Sequence, residues 1–406
     1  MRILIENLKQ LVTPYDKNIK KGTHMDSLRV LKNISILIDD GYIVDIGRFS
    51  NSNVDFRIDA SSLVAMPGFV DSHTHIPFYG KRWKEFYMRN AGKDYMEILN
   101  AGGGILETVS KVRSTNFNVL LEYNQIFVNE MLSFGVTTIE GKSGYGLDLE
   151  NEIKQLEVLN HLKKATIVPT FLGPHSVPPE SSKEEYLDFV INDIAPKVKQ
   201  KNLADFADIF CEKEVFELKE TERYLNAMKR LGFKLRMHSD EIESIGGTRL
   251  AVEFGAKSVD HLIAIEDSDI IFLAKSTTIA NLLPGTSFFL RKKFAPARKL
   301  IDAGAAVALS SDFNPGSCYI SNPNMIVHLA VTKMKMTPEE VINAYTINPA
   351  NILGLSEIGL IEKGYLADLQ LHYLDDYREF PYSLGHNTLA YVLKKGEIVY
   401  ENRRPG

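Results

Sequence analysis

From Met1 to about residue 65 the apolar positions come in short runs separated by turn residues. Met1–Leu8 reads as a strand. Ser35–Ile38 and Tyr42–Ile46, joined by Asp39-Asp40-Gly41, read as a hairpin, and Arg57–Ala60 as one more short strand. From residue 66 the texture changes to an apolar strand followed by a helical stretch, repeated along the chain. The strand candidates are Met66–Asp71, Val136–Glu140, Thr166–Leu172, Phe206–Cys211, Lys234–Met237, Ser258–Asp260, Thr278–Leu283 and Ala306–Ser310. Leu149–Lys163 and Lys219–Leu231 carry apolar residues three and four apart, the mark of amphipathic helices. From about Ile358 short β elements return, as Gly364–Tyr373 and as Ala390–Tyr400 with a turn at Lys395-Gly396.

Eight strand–helix units are what a TIM-type (β/α)8 barrel requires. The expected fold is therefore α/β: a barrel over residues 66–357, with a small β-sandwich domain built from both chain ends, 1–65 and 358–406. A doubly wound open sheet is the rival. It would more often carry a glycine-rich phosphate turn after its first strand, and this chain has His73-Thr74-His75 there. The long gap after the first strand holds Gly102-Gly103-Gly104, which reads either as an anion-binding nest or as a turn before a helix.

Composition narrows the partners. The chain has 406 residues, 44% hydrophobic, enough for a large core, and a net charge of −5 with both signs spread along it. No basic tail or patch points to nucleic acid or to a membrane surface. No apolar run is long enough to span a bilayer, and Met1–Glu6 lacks a signal-peptide pattern. The two cysteines, Cys211 and Cys318, suit a reducing compartment. A cytoplasmic protein is expected.

Barrel chemistry sits at the C-terminal ends of the strands. Five of the ten histidines fall there: His73 and His75, His175, His238 and His261. Alternate residues of a strand share a face, so His73 and His75 converge. With His238 and with Asp312 after the eighth strand they make a nitrogen–oxygen set for one Zn²⁺ or Fe²⁺. Such an ion lowers the pKa of a bound water from about 15.7 to roughly 7 and makes hydroxide available at neutral pH.

The stretch Pro67-Gly68-Phe69-Val70-Asp71-Ser72-His73-Thr74-His75 resembles the first-strand motif of the amidohydrolase superfamily. Further stretches are similar to the imidazolonepropionase family within it. They are Tyr95-Met96-Glu97-Ile98 with Ala101–Ile105, Lys142–Asp148, Thr170–Gly173 with His175 and Val177-Pro178-Pro179, His238-Ser239-Asp240-Glu241, and Ser311–Ser317. The resemblance covers about residues 60–355. It implies hydrolytic ring opening of 4-imidazolone-5-propanoate to N-formimidoyl-L-glutamate, a step of histidine degradation, by a homodimer. It implies the metal ligands His73, His75, His238 and Asp312, and substrate contacts at Arg82, Tyr145, His175, Glu241, Asn314, Gly316 and Ser317.

These residue types suit a substrate that carries a carboxylate. A guanidinium binds a carboxylate through two parallel hydrogen bonds, which makes Arg82 the expected anchor. Tyr145 and Ser317 add hydrogen bonds. His175 either polarises the ring or packs and donates to a backbone carbonyl. The catalytic assignments are Asp312 as acceptor of the water's proton, Glu241 as the shuttle to the ring nitrogen, and His261 beside the oxyanion; which of the three carries each proton is open. A second metal bridged by a carboxylated lysine, Lys213 or Lys142, is the minor alternative. Two rival readings stand: another cyclic-amide hydrolase or a purine or cytosine deaminase on the same scaffold, and a metal-free binding protein. Arg82 and the Tyr145 loop speak against the deaminases, and the intact ligand set against the metal-free protein.

Overall fold

A computed structural model describes residues 1–49, 53–93, 97–98 and 101–402. Tyr95 and Met96 of the Tyr95–Ile98 stretch lie outside the described residues. Eight parallel strands make the barrel: β1 (Phe69–Asp71), β2 (Val136–Lys142), β3 (Thr166–Phe171), β4 (Phe206–Ala207 and Phe210–Cys211), β5 (Lys234–Ser239), β6 (Ser258–His261), β7 (Ile279–Leu282) and β8 (Val307–Leu309). Each pairs in parallel with the next in sequence order. The ring closes beyond the strands proper. Thr74 bridges Phe313 in parallel, Asp312 N donates to His73 O at 3.0 Å, and His75 N donates to Phe313 O at 3.0 Å. The seam that closes the barrel thus runs through three of the residues expected to hold a metal.

Two of the expected strands are broken. Met66–Asp71 is not one strand: Val64–Pro67 belongs to an outer sheet, and only Phe69–Asp71 joins the barrel. The chain changes sheet at Gly68, where a Cβ would lie 2.3 Å from Thr137 Oγ1, so only glycine lets the two strands approach. Phe206–Cys211 divides at Asp208, whose carboxylate accepts from the next amide, Ile209 N, at 2.8 Å. The helices Leu149–His161 and Leu218–Arg230 lie where the periodicity places them. The first starts at Asp148, whose side chain accepts from Asn151 N. Gly104 precedes the helix Ile105–Ser114, so the glycine run ends in a turn into a helix.

The chain ends supply two further sheets. Tyr42–Gly47, Ile34–Asp39, Arg2–Leu8 and Phe56–Asp59 form one, in that order. Glu397–Glu401, Leu389–Lys394, Leu369–His372, Val64–Pro67, Gln10–Pro14 and Leu28–Leu31 form the other. Gln10–Pro14 and Leu28–Leu31 were not expected from the sequence pattern. One core, with Ile3, Ile5, Ile36, Ile38, Leu369, Leu371 and Leu393, is shared by the two sheets, which gives a sandwich. Among the described residues no helix is long and apolar enough to cross a membrane.

Candidate active site

His73 and His75 leave the top of β1, His238 sits near the end of β5, and Asp312 follows β8. All four are buried. His75 Nε2 lies 3.4 Å from both His73 Nε2 and His238 Nε2, and Asp312 Oδ1 lies 3.6 and 3.3 Å from His73 Nε2 and His75 Nε2. The outer ring nitrogens fix two tautomers. His73 Nδ1 is 2.7 Å from Asp260 Oδ2, and His238 Nδ1 is 3.1 Å from Asp208 Oδ1. With Nδ1–H donating to a carboxylate, each Nε2 turns a lone pair inward. Asp312 Oδ1 is buried without a hydrogen-bond partner among the described residues, while its Oδ2 accepts from Thr286 Oγ1. Lone pairs and an orphan carboxylate oxygen facing one point are a poor arrangement for a protein alone and a good one for a cation. These residues fit a divalent ion.

Electrostatics agree. Burial holds the His73 imidazole well below its ordinary pKa and lowers that of His75, so both stay neutral and available as ligands. Burial also works against His238, but the Asp208 carboxylate outweighs it and raises the ring. Burial would raise Asp312; the His75 imidazole, 3.3 Å from its Oδ1, and the hydrogen bond from Thr286 overcome that and bring the carboxyl down to about 2. Asp312 and His261 both adopt positive φ, 56° and 82°, strained backbone of the kind found at functional sites.

Beneath the histidines lies a fully buried lattice of charge. Lys142 Nζ is 2.7 Å from Glu140 Oε1 and 3.1 Å from Asp208 Oδ2. Arg236 reaches Glu140 at 3.2 Å and Asp260 at 2.9 Å. Together with Asp312, four carboxylates face two cations, which leaves two formal negative charges for a divalent ion to balance. A carboxylated Lys142 would set a third anion against Glu140 and Asp208. Lys213 is exposed and paired with Glu243 at 2.9 Å. Neither lysine sits where it would bridge a second ion.

Above the histidines opens a cavity of about 470 Å³. All the expected substrate contacts line it: Arg82, Tyr145, His175, Glu241, Asn314, Gly316 and Ser317, and so does His261. His175 stacks on His75, ring centroids 4.9 Å apart, with Nδ1 3.0 Å from Gly144 O. Of the two readings of this residue, the structure contains the packing and the bond to a carbonyl, and the ring also faces the cavity. Asn314 builds the turn it stands in: its Oδ1 accepts from Gly316 N at 2.9 Å and Ser317 N at 2.7 Å. Glu241 Oε2 is 3.7 Å from His261 Nε2, and Glu241 Oε1 is 3.4 Å from Lys292 Nζ. Arg82 departs from expectation in one respect. Its Nε and Nη2 already donate to Glu85, which leaves the Nη1 side for a ligand.

Sequence reading passed over Asp208, Arg236, Glu140, Thr286, Lys292, Glu85 and Arg89. A signal existed for some. Glu140 and Lys142, like Arg236 and His238, stand two apart in a strand, so each pair points to one face, the barrel interior.

Residues 64–399 match the model of the Amidohydrolase family. An imidazolonepropionase of Kosmotoga olearia is 49% identical over 404 residues, 98% of each chain, and one of Parabacteroides distasonis is 43% identical over 409 residues, again 98% of each. The chain belongs to the imidazolonepropionase family of amidohydrolases. Among solved structures, an atrazine chlorohydrolase from Arthrobacter aurescens complexed with zinc and atraton superposes with a TM-score of 0.72 at 17% identity, over 99% of this chain and 96% of that one. At that identity the likeness speaks for the fold. Members of the family carry a metal-dependent hydrolase site in this barrel, and the group His73, His75 and His238 is placed to hold an ion.

Proposed function

We propose that the chain hydrolyses 4-imidazolone-5-propanoate to N-formimidoyl-L-glutamate, with one divalent ion, Zn²⁺ or Fe²⁺, held by His73, His75, His238 and Asp312. One observation carries the reading: inward-facing imidazoles and an unpaired Asp312 oxygen meet at the floor of a cavity whose wall bears Arg82. Supporting it is the near full-length similarity to proteins named imidazolonepropionase. When bound, the ion supplies Lewis acidity and makes water acidic enough to react at neutral pH.

The chain's own groups do the rest. Arg82, with Tyr145 and Ser317, fixes the propionate and so sets the ring against the floor. Gly316 lets the Arg82 guanidinium lie flat, since a Cβ there would fall 2.2 Å from its Nη1. Asn314 holds the turn that carries Gly316 and Ser317, and His175 presents its second nitrogen to the ring. Asp312 takes the proton of the attacking water. A carboxylate of such low pKa is a weak resting base, so it passes the proton on rather than keeping it. Glu241 delivers it to the departing ring nitrogen, and His261 steadies the oxygen that gains charge. Breaking the ring amide C–N bond then leaves the formimidoyl nitrogen protonated and the former carbonyl as a carboxylate.

The test is a pair of variants, Glu241→Gln and His261→Ala. Each is expected to lower kcat at least about a hundredfold, the scale of a lost proton-transfer or oxyanion group, with metal content kept. Near-native kcat in both would overturn these roles.

We also read the chain as two domains, as expected at 1–65 with 358–406 and 66–357, but with the first boundary moved to Gly68 because Met66 and Pro67 pair in the outer sheet. The whole is proposed to be a cytoplasmic homodimer with no nucleic-acid or membrane partner.

A further inference from the structure

Arg82 is engaged before any ligand arrives. The helix Trp83–Asn90 sets Glu85 three residues after Arg82 and four before Arg89, so one turn of helix brings two guanidiniums to a single carboxylate. Arg82 Nε donates to Glu85 Oε2 at 2.9 Å, and its Nη2 donates to Oε1 and Oε2 at 2.9 and 2.7 Å. Arg89 Nη2 donates to Oε1 at 2.6 Å. Gly104 N, at the head of the helix Ile105–Ser114, donates to Oε2 at 3.0 Å. The Glu85 side chain is 5% exposed, and all three charged residues line the cavity.

Two guanidiniums and one carboxylate leave one positive charge at the cavity wall. Donor nitrogens are also left over. Arg82 Nη1 lies against Gly316, and Arg89 Nη1 is buried without a partner among the described residues. A ligand with one carboxylate supplies both the missing charge and the missing acceptors. An uncharged ligand cannot supply the charge.

We propose that Glu85 is a positioning residue for substrate selection: it holds Arg82 and Arg89 together as a unit with one net positive charge, and Arg89 is a second determinant for a monocarboxylate ligand. The proposal rests on the ring-opening reading above and deepens it. Without Glu85 the two guanidiniums repel, and Arg82 loses the bonds that fix its plane. Substrate affinity falls, while the metal floor is untouched.

The experiment compares metal-replete wild type with Glu85→Gln, Arg89→Met and Arg89→Lys. It measures kcat and KM for 4-imidazolone-5-propanoate, and inhibition by imidazole-4-propionate and by 4-propylimidazole, which lacks the carboxylate. Glu85→Gln and Arg89→Met are expected to raise KM and the inhibition constant of the acid at least about tenfold, the scale of one lost charge-assisted hydrogen bond. The inhibition constant of 4-propylimidazole and kcat should stay within about twofold. Arg89→Lys, which keeps the charge, should retain most of the preference. A merely structural Glu85 would weaken both inhibitors alike, and that result would overturn the proposal. So would an unchanged preference in Arg89→Met, which carries the test should Glu85→Gln fail to fold. Failure of the reaction reading shows separately, as metal-replete wild type that neither turns over the imidazolone nor prefers the acid.

Discussion

Asp208 does for His238 what Asp260 does for His73: each carboxylate takes the Nδ1–H and turns Nε2 toward the ion site. Asp208 also caps Lys142, and its own carboxyl is held well below the usual range because His238 and Lys142 outweigh the cost of burial. Asp208→Asn should therefore weaken metal binding by about ten- to a hundredfold, the usual effect of losing such a partner. Competition with a chromophoric chelator would read this, and unchanged affinity would contradict the role. Gly316 allows an equally local test. Its φ is not in the left-handed region, and the three nearest atoms that an alanine Cβ would meet there all belong to the Arg82 guanidinium. Gly316→Ala is expected to raise KM for the propanoate substrate roughly tenfold by displacing one charge-assisted contact, with kcat kept. Steady-state kinetics would show it, and an unchanged KM would contradict the packing argument.

Strand ends were the legible part of the site, because alternation along a strand and the location of barrel chemistry are local rules. His73, His75, His238 and Asp312 followed from them, as did the cavity-lining Glu241 and His261. The partners that orient these residues were not legible. Asp260 meets His73 across 187 positions of sequence, and no periodicity encodes that pairing. The broken strands were hidden for another reason: the apolar run through Met66–Asp71 continues across Gly68, yet the backbone changes sheet there because Thr137 leaves no room for a Cβ. The Arg82–Glu85–Arg89 spacing was in plain view, but it reads as a solvated helix face until the helix is seen at the cavity wall. The outer sheet carries its own titration. His372 in the strand Leu369–His372 is buried between Thr388 Oγ1 and Gln370 Oε1, and burial lowers its pKa to about 3. An unfolded imidazole titrates near 6.5. Below that pH the unfolded chain takes a proton that the folded chain refuses, so stability from this group is present above about 6.5 and is lost as pH falls toward 3. His372→Gln should flatten the fall by up to about 1.4 kcal/mol per pH unit. Urea unfolding between pH 7 and pH 4 would check it, and an identical slope would contradict it.

At the scale of the molecule, the barrel closes where its chemistry lies. The hydrogen bonds from Asp312 N to His73 O and from His75 N to Phe313 O join the last strand to the first and bring the expected ligands to one point. Counted with Asp312, the buried lattice below them carries two formal negative charges in excess, which a divalent cation would balance. On the proposed reading, cavity wall and floor divide the work, with net positive charge selecting a carboxylate and the histidine floor supplying the reacting centre. The most direct measurement follows the absorbance of freshly prepared 4-imidazolone-5-propanoate with purified protein, then after chelation, then after adding back zinc or iron. The expected result is loss of the imidazolone with N-formimidoyl-L-glutamate as product, abolished by the chelator and restored by the metal. A metal-replete protein that leaves the imidazolone intact, or turnover indifferent to chelation in protein shown to be metal-free, would contradict the account.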